Sequence, residues 1–181
     1  KNAQMQKFDF EGYARCNYIR SYRPKPIVRE EYILEAAALI NKAVRPFVLF
    51  GQGVILGHAE QEFQQFIEKS GIPAAWTVLG LGALPPDHPQ NVGMLGMHGF
   101  YEANMAMHHS DVILAVGARF DDRVTNTVSK FCPGAKIIHI DIDPAAISKT
   151  VPADIPIVGP VVAVLEEMLV QLDAVREKEA D

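Results

Sequence analysis

Pro46-Phe47-Val48-Leu49-Phe50-Gly51-Gln52-Gly53 is the stretch on which the fold turns. Five uncharged residues stopped by a glycine read as a strand buried on both faces. The same grammar recurs along the chain. Short apolar runs predict strands over 73–77, 112–116, 137–142 and 155–158, the second and the last followed by Gly117 and Gly159. Between them lie segments of helical period. One spans 30–42, with Ile33, Leu34, Ala37 and Ile40 on one side. A second, 59–69, carries Phe63, Phe66 and Ile67 and is closed by Gly71. Further helices are expected over 100–109, 124–131 and 161–176, the last with Leu165, Met168, Leu169 and Leu172 together. Strand and helix therefore alternate. That predicts an α/β, doubly wound, mostly parallel sheet, Rossmann-like, with helices on both faces. Right-handed crossovers place every strand-to-helix loop at one sheet edge, where ligands of such folds bind.

Bulk properties bound the rest. The 181 residues suffice for one domain with a sizeable core; 49% are apolar and 22% charged. A net charge of −5 offers no general attraction to nucleic acid or to anionic membrane. No apolar run is long enough to span a bilayer and no signal peptide opens the chain, so a cytoplasmic location is expected. Cys16 and Cys132 form no CxxC pair and read as reduced thiols. The first residue is Lys1, which suits a piece of something longer. Residues 1–29 show no clean period, carry Phe8, Phe10, Tyr13, Tyr18 and Tyr22, and end near Pro24-Lys25-Pro26, an extended linker signal. The expected organisation is a linker over 1–29 and an α/β domain over 30–181.

The residues after each strand carry the functional reading. Gly51 and Gly53 would let a backbone approach a phosphate at a helix N-terminus; a tight turn without ligand is the alternative. Their spacing is GxGxxxG, and Thr77 stands where a NAD-binding unit would carry an acid. Gly93-Met94-Leu95-Gly96-Met97-His98-Gly99 suits a backbone laid against a flat apolar ligand, or a packed methionine-rich turn. His98 alone reads equally as structural. His108 and His109 fall at a helix end and read as capping cations. Gly117-Ala118-Arg119-Phe120-Asp121-Asp122-Arg123 places four charges beyond a buried strand. Arginines there could fork onto phosphate or stack on a ring, or the group could be a solvated salt-bridge cluster. In His139-Ile140-Asp141-Ile142-Asp143 the first, third and fifth residues share a face. Asp143 before Pro144 reads as a helix N-cap, and His139 as a satisfied internal histidine. Asp141 is placed to accept hydrogen bonds from ribose hydroxyls or adenine.

Taken in order, GQGV, TVLGLGALP, GMLGMHG, GARFDDRV and HIDIDP resemble the central domain of the acetolactate synthase (acetohydroxyacid synthase) large-subunit family, from about Ile27 onward. The resemblance implies a DHS-like NAD/FAD-binding domain that holds FAD structurally. The full enzyme of that family joins pyruvate to a second 2-oxo acid with loss of CO2, using thiamine diphosphate and Mg²⁺, in branched-chain amino acid biosynthesis. By the same resemblance, Gly51 and Gly53 would approach the phosphates. Thr77, Val78 and Leu79, with Leu95, Gly96, Met97 and His98, would line the flavin and ribityl side. Gly117, Arg119, Asp121, Arg123 and Val124 would contact the cofactor from the third loop, and Asp141 and Ile142 would hold the adenosine end. Implied partners are N- and C-terminal thiamine diphosphate domains, further copies of the chain in a homo-oligomer, and a small regulatory subunit.

Two departures stand out. Many relatives have three successive glycines where this chain has Gly51-Gln52-Gly53, and Gly-Asp where it has Gly159-Pro160; proline offers neither a carboxylate nor an N–H. The chain has no Gly-Asp-Gly motif of the kind that holds thiamine diphosphate and its metal, so no catalytic residue and no metal site is assigned to it. Rival readings are a sirtuin-like NAD enzyme, against which the missing CxxC pairs argue, a redox flavoprotein such as pyruvate oxidase, and a cofactor-free structural domain of a thiamine diphosphate decarboxylase.

Overall fold

The computed structural model describes residues 26–172 and, before them, Lys7, Asp9 and Gly12. The N-terminal aromatics, Cys16, Pro24 and the extension of the last helix to Arg176 lie outside the described residues.

The chain enters through helix α1, Glu30–Lys42, whose first turn carries Glu30 and Glu31 and whose last turn carries Lys42, charges that oppose the helix dipole. It buries Ile33, Ala36, Ala37 and Ile40, while Leu34 turns outward against expectation. Then follow β1, Pro46–Phe50, the five-residue α2, Gln52–Leu56, and α3, Glu60–Ser70. Gly71 ends α3 in the left-handed region at φ 62°, its N–H donating to Ile67 O, as the sequence predicts. Next come β2, Ala74–Trp76, β3, Asn91–Met94, α4, Tyr101–His108, and β4, Val112–Val116. The chain finishes with the single-turn α5, Asp122–Thr125, β5, Lys136–Asp141, β6, Ile155–Val158, and α6, Val161–Gln171.

The six strands form one sheet in the order β3-β2-β1-β4-β5-β6, and every pairing is parallel. This is the doubly wound order of dinucleotide-binding sheets, with its reversal between β1 and β4. Alternation along the strands divides the core. Val48 and Phe50 of β1, with Leu114 and Val116 of β4, pack under α1, α3 and α6. Phe47 and Leu49, with Ile113 and Ala115, face the other side.

That second side departs from expectation. It is covered by α4 together with irregular chain, including Phe120, Phe131, Cys132 and Val151. The expected helix over 124–131 is replaced by α5 and a separate 3-10 turn, Val128–Lys130, because Asn126 takes φ 52° and breaks the run. Asp143 does cap, but what it caps is a turn: its Oδ1 accepts from Ala145 N and its carbonyl from Ala146 N, with no helix following. Burial pushes the Cys132 thiol up to about 11, so it stays protonated at neutral pH.

β3 is an edge strand absent from the sequence reading. Gly93, inside it, has φ 94°, and the pairing with β2 slips between Ala74 and Trp76. A four-residue, half-buried strand with a bulge shows no apolar period. Among the described residues no helix is long and apolar enough to cross a membrane.

Candidate cofactor cleft

The loops after all six strands meet at the carboxyl edge of the sheet around a cleft of about 690 Å³, within the range of small-molecule and cofactor sites. The β1–β4 reversal lies beneath it. The walls are built from the strand ends upward.

Gly51 and Gly53 follow β1, and Gly117 follows β4. The N–H of Gly51 donates to Val116 O at 3.1 Å and that of Gly53 to Gly117 O at 2.9 Å. A Cβ on Gly53 would lie 2.6 Å from Gly117 Cα, and one on Gly51 would lie 2.6 Å from Gly117 O. The glycines therefore let two loops touch each other, and the amides of Gly51 and Gly53 are engaged within the protein. Gly53 and Gly117 still line the cleft; Gly51 sits behind them.

The second wall is apolar. Thr77 leads into a 3-10 turn, Val78–Gly80, and the Thr77 N–H donates to Phe50 O, tying it to β1. Leu56, Val78, Leu79, Met97 and Ile142 all line the cleft, and each is between 57% and 70% exposed. Large apolar side chains gathered and open to solvent in one concavity mark a binding surface.

The loop between β3 and α4 supplies Leu95, Met97 and His98 to the cleft. Gly96 lies one layer behind, at φ 102°, and a Cβ there would stand 2.6 Å from Arg123 O. The Met97 N–H donates to that same carbonyl at 2.7 Å, so this loop and the β4 loop are stitched together.

Arg119, Asp121, Arg123 and Val124 line the opposite wall. Arg119 pairs with Asp121 at 2.9 Å, and Arg123 with Asp122 at 2.9 Å, all largely exposed. Both readings of this segment thus have a counterpart: a solvated ion-pair cluster stands at the cleft wall. Exposed pairs contribute about 0–1 kcal/mol to folding, so exchanging them for a ligand costs little.

Asp141 ends β5 in the cleft. Its Oδ1 accepts from Asp143 N at 2.8 Å, and its Oδ2 stands 4.0 Å from His139 Nε2. His139 is fully buried and packs edge-on against Phe120 at 5.2 Å. Neither ring nitrogen has a hydrogen-bond partner, so the expected satisfied histidine is corrected. Burial holds its pKa below the ordinary 6.5; the Asp141 charge opposes this, as does a backbone contact to Ala118 that falls short of hydrogen-bond geometry.

Every residue named from the sequence as a cofactor contact, except Gly51 and Gly96, lines this one cleft. Sequence reasoning missed Gln52, Leu56, Gly57, Met94, Ala118, Pro160 and Val161 as lining residues. Pro160 and Gln52 carried a signal, since both mark departures from the resembled pattern. His108 and His109 lie at the end of α4, consistent with capping.

An all-parallel 3-2-1-4-5-6 sheet with an apolar, glycine-lined cleft over its switch point is a doubly wound, Rossmann-like α/β domain. The family model described as "Thiamine pyrophosphate enzyme, central domain" matches residues 33–168, and the chain belongs to that family. It is 50% identical over 151 residues to the acetolactate synthase isozyme 3 large subunit of Escherichia coli (strain K12), covering 83% of this chain and 26% of that protein. It is 51% identical to the acetolactate synthase large subunit of Buchnera aphidicola subsp. Schizaphis graminum, over 84% of the chain and 27% of the relative. A protein of Methanocaldococcus jannaschii named "Probable acetolactate synthase large subunit" matches across 100% of the chain at 44% identity, over 31% of its own length. The chain thus spans about a quarter to a third of the length of these relatives.

Proposed function

We propose that this chain is the FAD-holding central domain of an acetolactate synthase large subunit. The polypeptide to which it belongs would condense pyruvate with pyruvate or 2-oxobutyrate and release CO2, with thiamine diphosphate and Mg²⁺ held by other domains. The observation that carries the cofactor assignment is the convergence of the strand-end loops on one largely apolar cleft set over the sheet's switch point. The residues suit FAD. A flat ring would find Val78, Leu79, Leu95 and Met97; a diphosphate would find Arg119 and Arg123; ribose hydroxyls would find the free side of the Asp141 carboxylate. FAD contributes no net redox step to the condensation, so these residues bind and orient it.

Pro160 stands in the cleft wall at the start of α6, where the family resemblance implies an acid. It can accept nothing through a side chain, which leaves Asp141 as the carboxylate at the adenosine end, beside Ile142. An arginine from the preceding domain, implied by the family resemblance, lies outside this chain. Losing a charged hydrogen bond of about 1.5–3 kcal/mol weakens binding by roughly ten- to a hundred-fold. The isolated chain is therefore expected to bind FAD weakly. The test is a titration of the chain with FAD, ADP and NAD⁺, read by flavin and Trp76 fluorescence. FAD binding that ADP displaces and NAD⁺ does not supports the proposal; equal or tighter NAD⁺ binding, or nanomolar FAD binding, contradicts it.

A further inference from the structure

Asn104 does not line the cleft, yet its side chain makes two hydrogen bonds to the loop that does. Its Oδ1 accepts from Gly96 N at 2.8 Å, and its Nδ2 donates to Gly96 O at 3.0 Å. The amide is half-buried on α4, eight residues from its partner, and mimics a strand neighbour for a single residue. It grips Gly96 where the backbone takes φ 102°. On the other side of the same residue, Met97 N donates to Arg123 O at 2.7 Å. Gly99 N adds a third contact to Gly96 O at 3.0 Å. The loop displaying Leu95, Met97 and His98 is thus held between α4 and the carbonyl of Arg123.

From this geometry we infer that Asn104 is a positioning residue for the cofactor cleft: it fixes the β3–α4 loop, and through the Met97–Arg123 bond the β4 loop, in the ligand-competent arrangement. The inference rests on the reading of the cleft as an FAD site. Glycine at positive φ is free to leave that conformation, and the Asn104 clamp, the Gly99 N–H and the neighbouring Met97–Arg123 bond restrain it. A ligand that binds one loop arrangement sees an affinity reduced by the fraction of time the loop spends elsewhere.

The test compares Asn104→Ala and Asn104→Asp with the unaltered 181-residue chain, using FAD as the probe under conditions where each is fully folded by circular dichroism. Asn104→Ala removes both bonds and is expected to weaken FAD binding roughly ten-fold. Asn104→Asp keeps the acceptor but loses the donor while ionised. Protonated, its O–H donates to Gly96 O and its C=O accepts from Gly96 N, restoring the pair. The affinity of Asn104→Asp relative to the unaltered chain should therefore be low at pH 8 and recover only as pH falls through about 4, the ordinary carboxyl range, the ratio cancelling whatever else titrates. A purely structural role would alter melting temperature without a pH-dependent ratio. Asn104→Ala binding within two-fold of the unaltered chain, or an Asn104→Asp ratio flat with pH, overturns the inference and leaves the FAD reading standing. Failure of the unaltered chain to bind FAD overturns both. If Asn104→Ala does not fold, the Asn104→Asp profile decides alone.

Discussion

Replacing Gly117 with alanine is expected to destabilise the chain and spoil the cleft together, because one glycine serves both. Gly117 holds φ 54°, in the left-handed region, and a Cβ there would lie 2.6 Å from Gly53 Cα and 2.8 Å from its carbonyl carbon. The conformation alone costs a non-glycine residue about 1–2 kcal/mol. Backbone cannot swing aside as a flexible side chain can, so the loops must part, at an overpacking cost of about 1–3 kcal/mol. The sum is roughly 2–5 kcal/mol, a large share of a stability of about 5–15 kcal/mol. Gly53→Ala meets the same obstacle, at 2.6 Å, from inside α2. There the gain in helix propensity of about 1 kcal/mol offsets part of the clash. Gly53→Ala should therefore cost less than Gly117→Ala. The double variant should cost less than the sum, since loops already parted leave room for the second methyl. Urea unfolding followed by Trp76 fluorescence measures all three, and FAD titration reads the cleft. Gly117→Ala within 0.5 kcal/mol of the unaltered chain (roughly the scale of an ordinary surface change) and with unchanged FAD affinity would refute the account of touching loops.

Other expectations follow from single side chains. Asp141→Asn is expected to weaken FAD binding by roughly ten-fold or more, through loss of a charged acceptor, with little change in urea midpoint. His139→Leu should stabilise the chain by roughly 1 kcal/mol by removing two unpartnered buried nitrogens. Because the folded state holds the His139 pKa below 6.5, the unfolded chain takes up the proton first, and stability falls as pH drops through that value. His139→Leu should flatten that part of the stability profile between pH 7 and 5, and an unchanged slope would count against the burial assigned to His139. The chain alone, supplied with pyruvate, thiamine diphosphate, Mg²⁺ and FAD, should form no acetolactate above background.

The sheet was legible because buried parallel strands read as uncharged runs ended by glycine, as at Phe50-Gly51 and Val116-Gly117. Strand order was not, since nothing local distinguishes β4 beside β1 from β4 at an edge. β3 escaped because Gly93 and the bulge remove any period. The cleft was legible as a set of strand-end segments, and the structure brings nearly all of them together. What the glycines do there was not legible. A glycine beside a phosphate and a glycine beside another glycine look alike in sequence, and the Gly53–Gly117 contact joins residues 64 positions apart. Asn104 was invisible for a related reason: its partner is backbone, which carries no sequence signal.

The claim that these loops form a cofactor cleft is tested most directly by amide hydrogen exchange of the chain with and without FAD. Exchange is expected to slow in the bound state over residues 77–79, 95–98, 117–124 and 141–142, with the opposite edge of the sheet, at Val44, Arg45 and Asp111, unchanged. Protection confined to other segments, or none at saturating FAD, would contradict it.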